Sequence, residues 1–94
     1  MKTSKQMERH FKGIANHWRI EILLWIAGNP GATVEDITEN LQAHFKSMSQ
    51  HTQSLVKSGL IDKVYKGRTV THFLSPYGKH FVRIIKEFQR LSTN

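Results

Sequence analysis

Apolar side chains recur at helical spacing in five stretches of this chain and at strand spacing in two. In KQMERHFKGIA, residues 5–15, Met7, Phe11 and Ile14 stand at i, i+4 and i+7, on one face of a helix. The strongest helical pattern is NHWRIEILLWIAG, residues 16–28. Asn16 suits an N-cap, Ile20, Leu23, Leu24 and Ala27 make the stripe, and Ile22, Trp25 and Ile26 widen it until the helix should be central and buried. GNPGA, residues 28–32, stops that helix and turns the chain. TVEDITENL, residues 33–41, opens with Thr33 and places Asp36 three residues on, an acidic form of the capping box, with Val34, Ile37 and Leu41 facing inward. After the short turn QAH, a fourth helix is expected from about Phe45 to Ser58. Gly59 ends it, and Phe45, Met48, Thr52, Leu55 and Val56 form its inner side.

The remainder reads as a hairpin and a helix. LIDKVY and TVTHFL are strands flanking KGR, where Gly67 supplies the positive φ that a hairpin turn needs; Lys63, Lys66 and Arg68 are expected to gather at its tip. SPYGKHFVRIIKEFQRL puts Pro76 in the first turn of a last helix striped by Phe81, Ile84, Ile85, Phe88 and Leu91. The extreme ends, MKTSKQ and STN, are expected to fray. The expected architecture is mainly α with a small β-hairpin, a single domain over residues 1–94 with about five helices. Two helices joined by a tight turn and followed by a basic hairpin is the order of a winged helix-turn-helix.

The charge pattern points the same way. The 94 residues carry a net charge of +7, unevenly placed. Residues 1–19 hold five basic side chains against one acid, residues 20–45 hold four acids and no Lys or Arg, and residues 46–94 hold nine basic side chains against two acids. This layout fits a basic surface aimed at a polyanion, and nucleic acid is the expected partner.

Within the fourth helix, Lys46, Ser47, Ser49, Gln50, His51, Gln53 and Lys57 include no acid. A solvated helix ordinarily mixes both charge signs. A helix that enters the major groove must avoid repulsion by phosphate, and Ser, Gln and Lys can bond to base edges there. The N-terminal part of a recognition helix penetrates deepest, so Lys46, Ser47, Ser49 and Gln50 are the expected base readers. Gln53 and Lys57 are expected at phosphates. His44, in the preceding turn, should meet a phosphate or cap the helix. Lys63, Lys66 and Arg68 should meet phosphates or the minor groove.

These stretches carry a family resemblance. IANHWRIEILLWIA resembles the ArsR-family helix with its N-P-x-R-x-x-I-L pattern: Asn16, Arg19, Ile22 and Leu23 match, and His17 replaces the proline. DITENLQAHFKSMSQHTQSLVKSGLI is similar, without a gap, to that family's E-L-A-x-x-L-x-x-S-x-x-x-V-S-x-H-L-x-x-L-x-x-x-G-L-V, with matches at Leu41, Ser49, His51, Leu55, Gly59 and Leu60. His44 stands for the family's leading serine and Thr52 for its core leucine. LSPYGK is similar to the phrase that follows the wing in MarR-type regulators. The resemblance covers residues 7–91 and implies DNA binding and dimerisation. It does not imply metal sensing. Val34, Glu35 and Asp36 stand where the family's third-helix cysteines would be, and His80 is alone where its zinc sensors pair two histidines in the last helix.

Other chemistries find little support. With no cysteine, disulfides, zinc–thiolate sites and thiol switches are excluded, which suits a cytoplasmic location. No apolar run approaches the roughly 18 residues of a membrane span, and no signal-peptide core follows the first lysines. None of the six histidines pairs with another at i+3 or i+4, so neither a metal nor another cofactor is expected. His51 should make a structural hydrogen bond, and His72 and His80 should be half-buried. No nucleophile–base arrangement, Gly-rich phosphate loop or acid pair suggests an enzyme, and no small-molecule ligand is evident. The leading expectation is a homodimeric transcriptional regulator, a repressor, bound to duplex DNA. Its dimer interface would comprise Met7, Phe11 and Ile14 of the first helix and Phe81, Ile84, Ile85, Phe88 and Leu91 of the last. The rival expectation is a winged-helix module that docks on another protein and never reads DNA.

Overall fold

The computed structural model describes residues 1–91; Ser92, Thr93 and Asn94, the STN end expected to fray, lie outside the described residues. The elements are α1 (Ser4–Ile14), α2 (His17–Gly28), α3 (Val34–Leu41), α4 (Phe45–Lys57), β1 (Ile61–Lys66), β2 (Thr69–Leu74) and α5 (Pro76–Arg90). This is the winged helix-turn-helix order, with α3–α4 as the helix pair and β1–β2 as the wing.

Side-chain caps set most of the helix starts. Asn16 Oδ1 accepts from the backbone N–H groups of Trp18 (2.9 Å) and Arg19 (3.3 Å) at the start of α2. Thr33 and Asp36 close the expected capping box on α3, with bonds of 3.0 and 3.1 Å. Ser75 Oγ accepts from Gly78 N (3.0 Å), with Pro76 at the first position of α5. The MKTSKQ end differs from expectation: it contains the beginning of α1, held by a second capping box between Thr3 and Gln6.

The core gathers around α2, which packs on α3, α4, α5 and β2. Ile22, Leu23 and Ile26 of α2 are buried with Ile37, Met48, Leu55, Leu60, Ile61 and Val82. Thr52, inward as expected, stands in this core because its hydroxyl donates to the Met48 carbonyl at 2.7 Å, so its own polar group is not left unpaired there. α4 ends in a Schellman motif: Gly59 N donates to Val56 O and Leu60 N to Leu55 O, both at 3.0 Å, with Gly59 at φ 78°.

In the wing, Lys66 pairs with Thr69, which leaves Gly67 and Arg68 as a two-residue turn with positive φ at Gly67 (61°). GNPGA is more than a turn. Gly31 N donates to His72 O (2.8 Å) and His72 N to Ala32 O (2.9 Å), so an antiparallel bridge stitches the α2–α3 connection to the base of the wing.

At the start of α5, Gly78 lies directly against the Leu60 carbonyl, and a Cβ there would collide with backbone rather than with a movable side chain. Gly78→Ala should therefore destabilise the fold by about 1–3 kcal/mol despite alanine's better helix propensity. The thermal unfolding midpoint should fall by about 4–8 °C for each kcal/mol of destabilisation, and an unchanged or raised midpoint would contradict the close packing of α5 on Leu60.

Candidate nucleic-acid interface

The helical period sorts the exposed side of α4 into two stripes. Lys46, Gln50, Gln53 and Lys57, at i, i+4, i+7 and i+11, lie farthest from buried Met48, Thr52 and Leu55, and all four are exposed. Ser47, also exposed, stands beside Lys46 in the first turn. The second stripe, Phe45, Ser49 and Val56, faces the wing. Gln53 Nε2 donates to Ser49 Oγ at 3.3 Å, so these two expected contact residues are partly engaged with each other. Lys46, Ser47 and Gln50 make no side-chain hydrogen bond or ion pair among the described residues, where the one ion pair within 4.0 Å is Glu8–Lys12.

Phe45 corrects the expectation. The sequence pattern assigns it to the inner side, yet its side chain is 52% exposed and takes no part in the core. It lies at the flank of the apolar stripe, in the first turn of α4. It borders a cleft of about 260 Å³ between the start of α3, α4 and the wing, lined also by Val34, Glu35, Ser49, Gln53, Lys63 and Arg68. The wing cations are not all gathered at the tip, as the sequence suggests they should be. Lys63 pairs with His72 well down the strand and, with Arg68, faces this cleft; Lys66 lies outside the cleft lining. Glu35, in the first turn of α3, is an acid on the cleft wall, though α4 itself carries none.

At the other end of α4, Lys57 and Ser54 share a shallow basic depression with Arg9, Lys12 and Arg19. The sequence pattern assigns none of these three cations to the site. Its signal is the excess of basic side chains over residues 1–19, but only the packing of α1 and α2 on the end of α4 shows where that charge goes. Arg19 is held in place: Nη1 donates to the Lys12 and Gly13 carbonyls (3.4 and 3.5 Å) and Nε to His51 Nδ1 (3.2 Å). The structural bond expected of His51 is thus to a side chain of α2. His51 Nδ1 must offer a lone pair to accept it. Burial first, then the Arg19 guanidinium and the His17 ring, hold the His51 imidazole below its ordinary value of 6.5.

The folded state therefore resists protonating His51 more than the unfolded chain does. Stability supplied by the Arg19–His51 contact is fully present above pH 6.5 and is lost as pH falls through the lower folded value. Urea unfolding of the wild type and His51→Gln on either side of pH 6.5 should show the wild type losing more stability on acidification. Parallel losses in the two chains would remove this assignment.

The other histidines divide. His44 precedes α4 at the N-cap position but makes no side-chain cap bond, and it is exposed beside Lys46. His72 is fully buried instead of half-buried, its Nδ1–H donating to Ala32 O at 2.8 Å, whereas His80 is exposed. His10, buried, donates Nδ1–H to Ser58 O and stacks on Tyr77, tying α1 to the end of α4. Among the described residues no three His, Asp or Glu side chains come together as a metal site would need, and no helix is long and apolar enough to cross a membrane.

The expected interface residues on α1 and α5 also divide. Ile14, Phe81 and Ile85 are half-buried against the monomer's own core. Met7, Phe11, Phe88 and Leu91 are exposed, with Phe11 edge-on to Phe81 at 5.2 Å and half-buried Ile84 beside Phe88.

Fold and site together define a winged helix-turn-helix with a cationic α4 and wing. Known structures share that fold. HlyU from Vibrio cholerae superposes with a TM-score of 0.81 at 24% identity, covering 93% of this chain and 95% of that one. The homodimeric winged helix-turn-helix DNA-binding domain of a possible ArsR-family transcriptional regulator from Mycobacterium bovis gives 0.84 at 18% identity, over 100% of this chain and 93% of that one. FabT from Streptococcus pneumoniae, in complex with DNA, gives 0.71 at 20% identity, over 77% of this chain and 52% of that one. No protein-family model matches the sequence, and no curated protein matches it.

Proposed function

We propose that the protein is a sequence-specific duplex-DNA-binding transcriptional regulator that acts as a cytoplasmic homodimer and represses by occupying its site. The observation that carries this reading is the outer stripe of α4, where Lys46, Gln50, Gln53 and Lys57 are exposed, acid-free and without an ion-pair partner among the described residues. Cations flank the stripe at both ends, Lys63 and Arg68 from the wing and Arg9, Lys12 and Arg19 from α1 and α2. Polar groups in the middle suit base edges, and cations at the margins suit the phosphate strands on either side of a major groove. The DNA complex of FabT and the homodimeric state of the mycobacterial domain support the same reading.

Selection of the full chain against a random duplex library tests it. The expected product is an inverted repeat whose half-sites lie one helical turn apart, about 34 Å. A pool that shows no sequence enrichment would transfer the basic face to a protein partner, the rival reading.

A further inference from the structure

We propose that Phe45 is itself a base reader, its ring meeting the 5-methyl group of a thymine in the major groove and selecting thymine through an apolar contact. This deepens the proposed DNA-binding function and rests on it. Three observations lead there. The first is placement: Phe45 opens α4, the end of a recognition helix that reaches deepest, immediately beside Lys46 and Ser47. The second is that packing does not account for the aromatic ring. Phe45 is 52% exposed and outside the core, and it is the one large exposed apolar side chain of α4, whose other exposed positions are all polar or charged. The third is the surroundings. Apolar Val34, Val56 and Val70 line the cleft that Phe45 borders, while Lys63 and Arg68 flank it and would hold a phosphate strand nearby. The thymine methyl is the one apolar group that base edges of unmodified DNA present in the major groove.

The test replaces thymines of the selected duplex one at a time with deoxyuridine, which removes only the methyl group, and measures affinity by fluorescence anisotropy. Wild-type protein should bind roughly three- to tenfold more weakly when the contacted thymine loses its methyl, and be indifferent elsewhere. Phe45→Ala should bind the thymine and deoxyuridine duplexes equally. Phe45→Leu, which keeps an apolar contact, should retain part of the discrimination. The half-exposed ring lies outside the core, so Phe45→Ala should unfold at the wild-type midpoint, which thermal melting checks. Wild-type affinity that never responds to methyl removal would overturn the proposal while leaving DNA reading intact. The same holds if Phe45→Ala weakens binding with no methyl dependence in the wild type, because the ring would then act as a wedge or as support for the helix. Failure of the library to enrich any duplex would overturn this inference and the proposed function together.

Discussion

Phe88→Glu should convert the protein to a monomer in sedimentation and weaken binding to a two-half-site operator by about a hundredfold or more. Exposed apolar side chains near the two ends of the chain motivate this expectation. Phe88 is 69% exposed, Leu91 62% and Phe11 57%, with Met7 on the same α1 stripe and Ile84 one turn before Phe88 on α5. Burying an aromatic side chain of this kind removes about 150–250 Å² from water, worth several kcal/mol per copy at about 25 cal/mol per Å². A two-fold axis counts that gain twice, and a glutamate on both sides of it would replace apolar packing with like-charge repulsion. Because Phe88 stands outside the core, the substitution should leave the fold intact, which urea unfolding checks. The weaker hold on DNA follows from linkage: a dimer engages its second half-site as an intramolecular event, and a monomer forfeits that advantage. A wild-type chain that sediments as a monomer, or a Phe88→Glu chain that stays dimeric with full affinity, would remove α1 and α5 from the interface.

Periodicity carries information about what is local. The buried α2, the Thr33–Asp36 capping box, the Gly59 helix stop and the Gly67 turn are all legible from residues a few positions apart, because helix caps and tight turns are made by near neighbours. What is not legible is made across long separations. His10 meets Ser58 forty-eight positions away, and His72 meets Ala32 forty positions away. Arg9, Lys12 and Arg19 reach the end of α4 only once α1 and α2 have packed on it. Phe45 illustrates the limit most directly. Its position on the helical wheel places it at the edge of the apolar stripe, and only the neighbouring elements decide whether that edge is covered. Lys63 departs from expectation for a related reason: strand alternation gives its face, but only the register with His72 gives its distance from the wing tip.

The two halves of the basic surface should also fail differently when cut. Gln50→Ala should cost about 1–3 kcal/mol on the selected site and blunt discrimination there, because an exposed glutamine in the middle of the outer α4 stripe offers both a donor and an acceptor to an adenine edge. Its amide makes no hydrogen bond among the described residues, unlike that of Gln53, which leans on Ser49. Arg68→Ala should weaken binding to all sequences by a similar factor and flatten the salt dependence by about one unit for each phosphate that a monomer no longer neutralises. Arg68 occupies the wing turn, where a cation on an exposed two-residue loop holds charge near the backbone without the fixed geometry that base reading needs. Anisotropy titrations of both variants against the selected site, a scrambled duplex and a salt series separate these outcomes. Equal, sequence-independent losses from the two substitutions would mean that α4 contacts phosphates only. Unchanged DNA binding in both would assign the cationic face to a protein partner, because neither the groove helix nor the wing would then be touching nucleic acid.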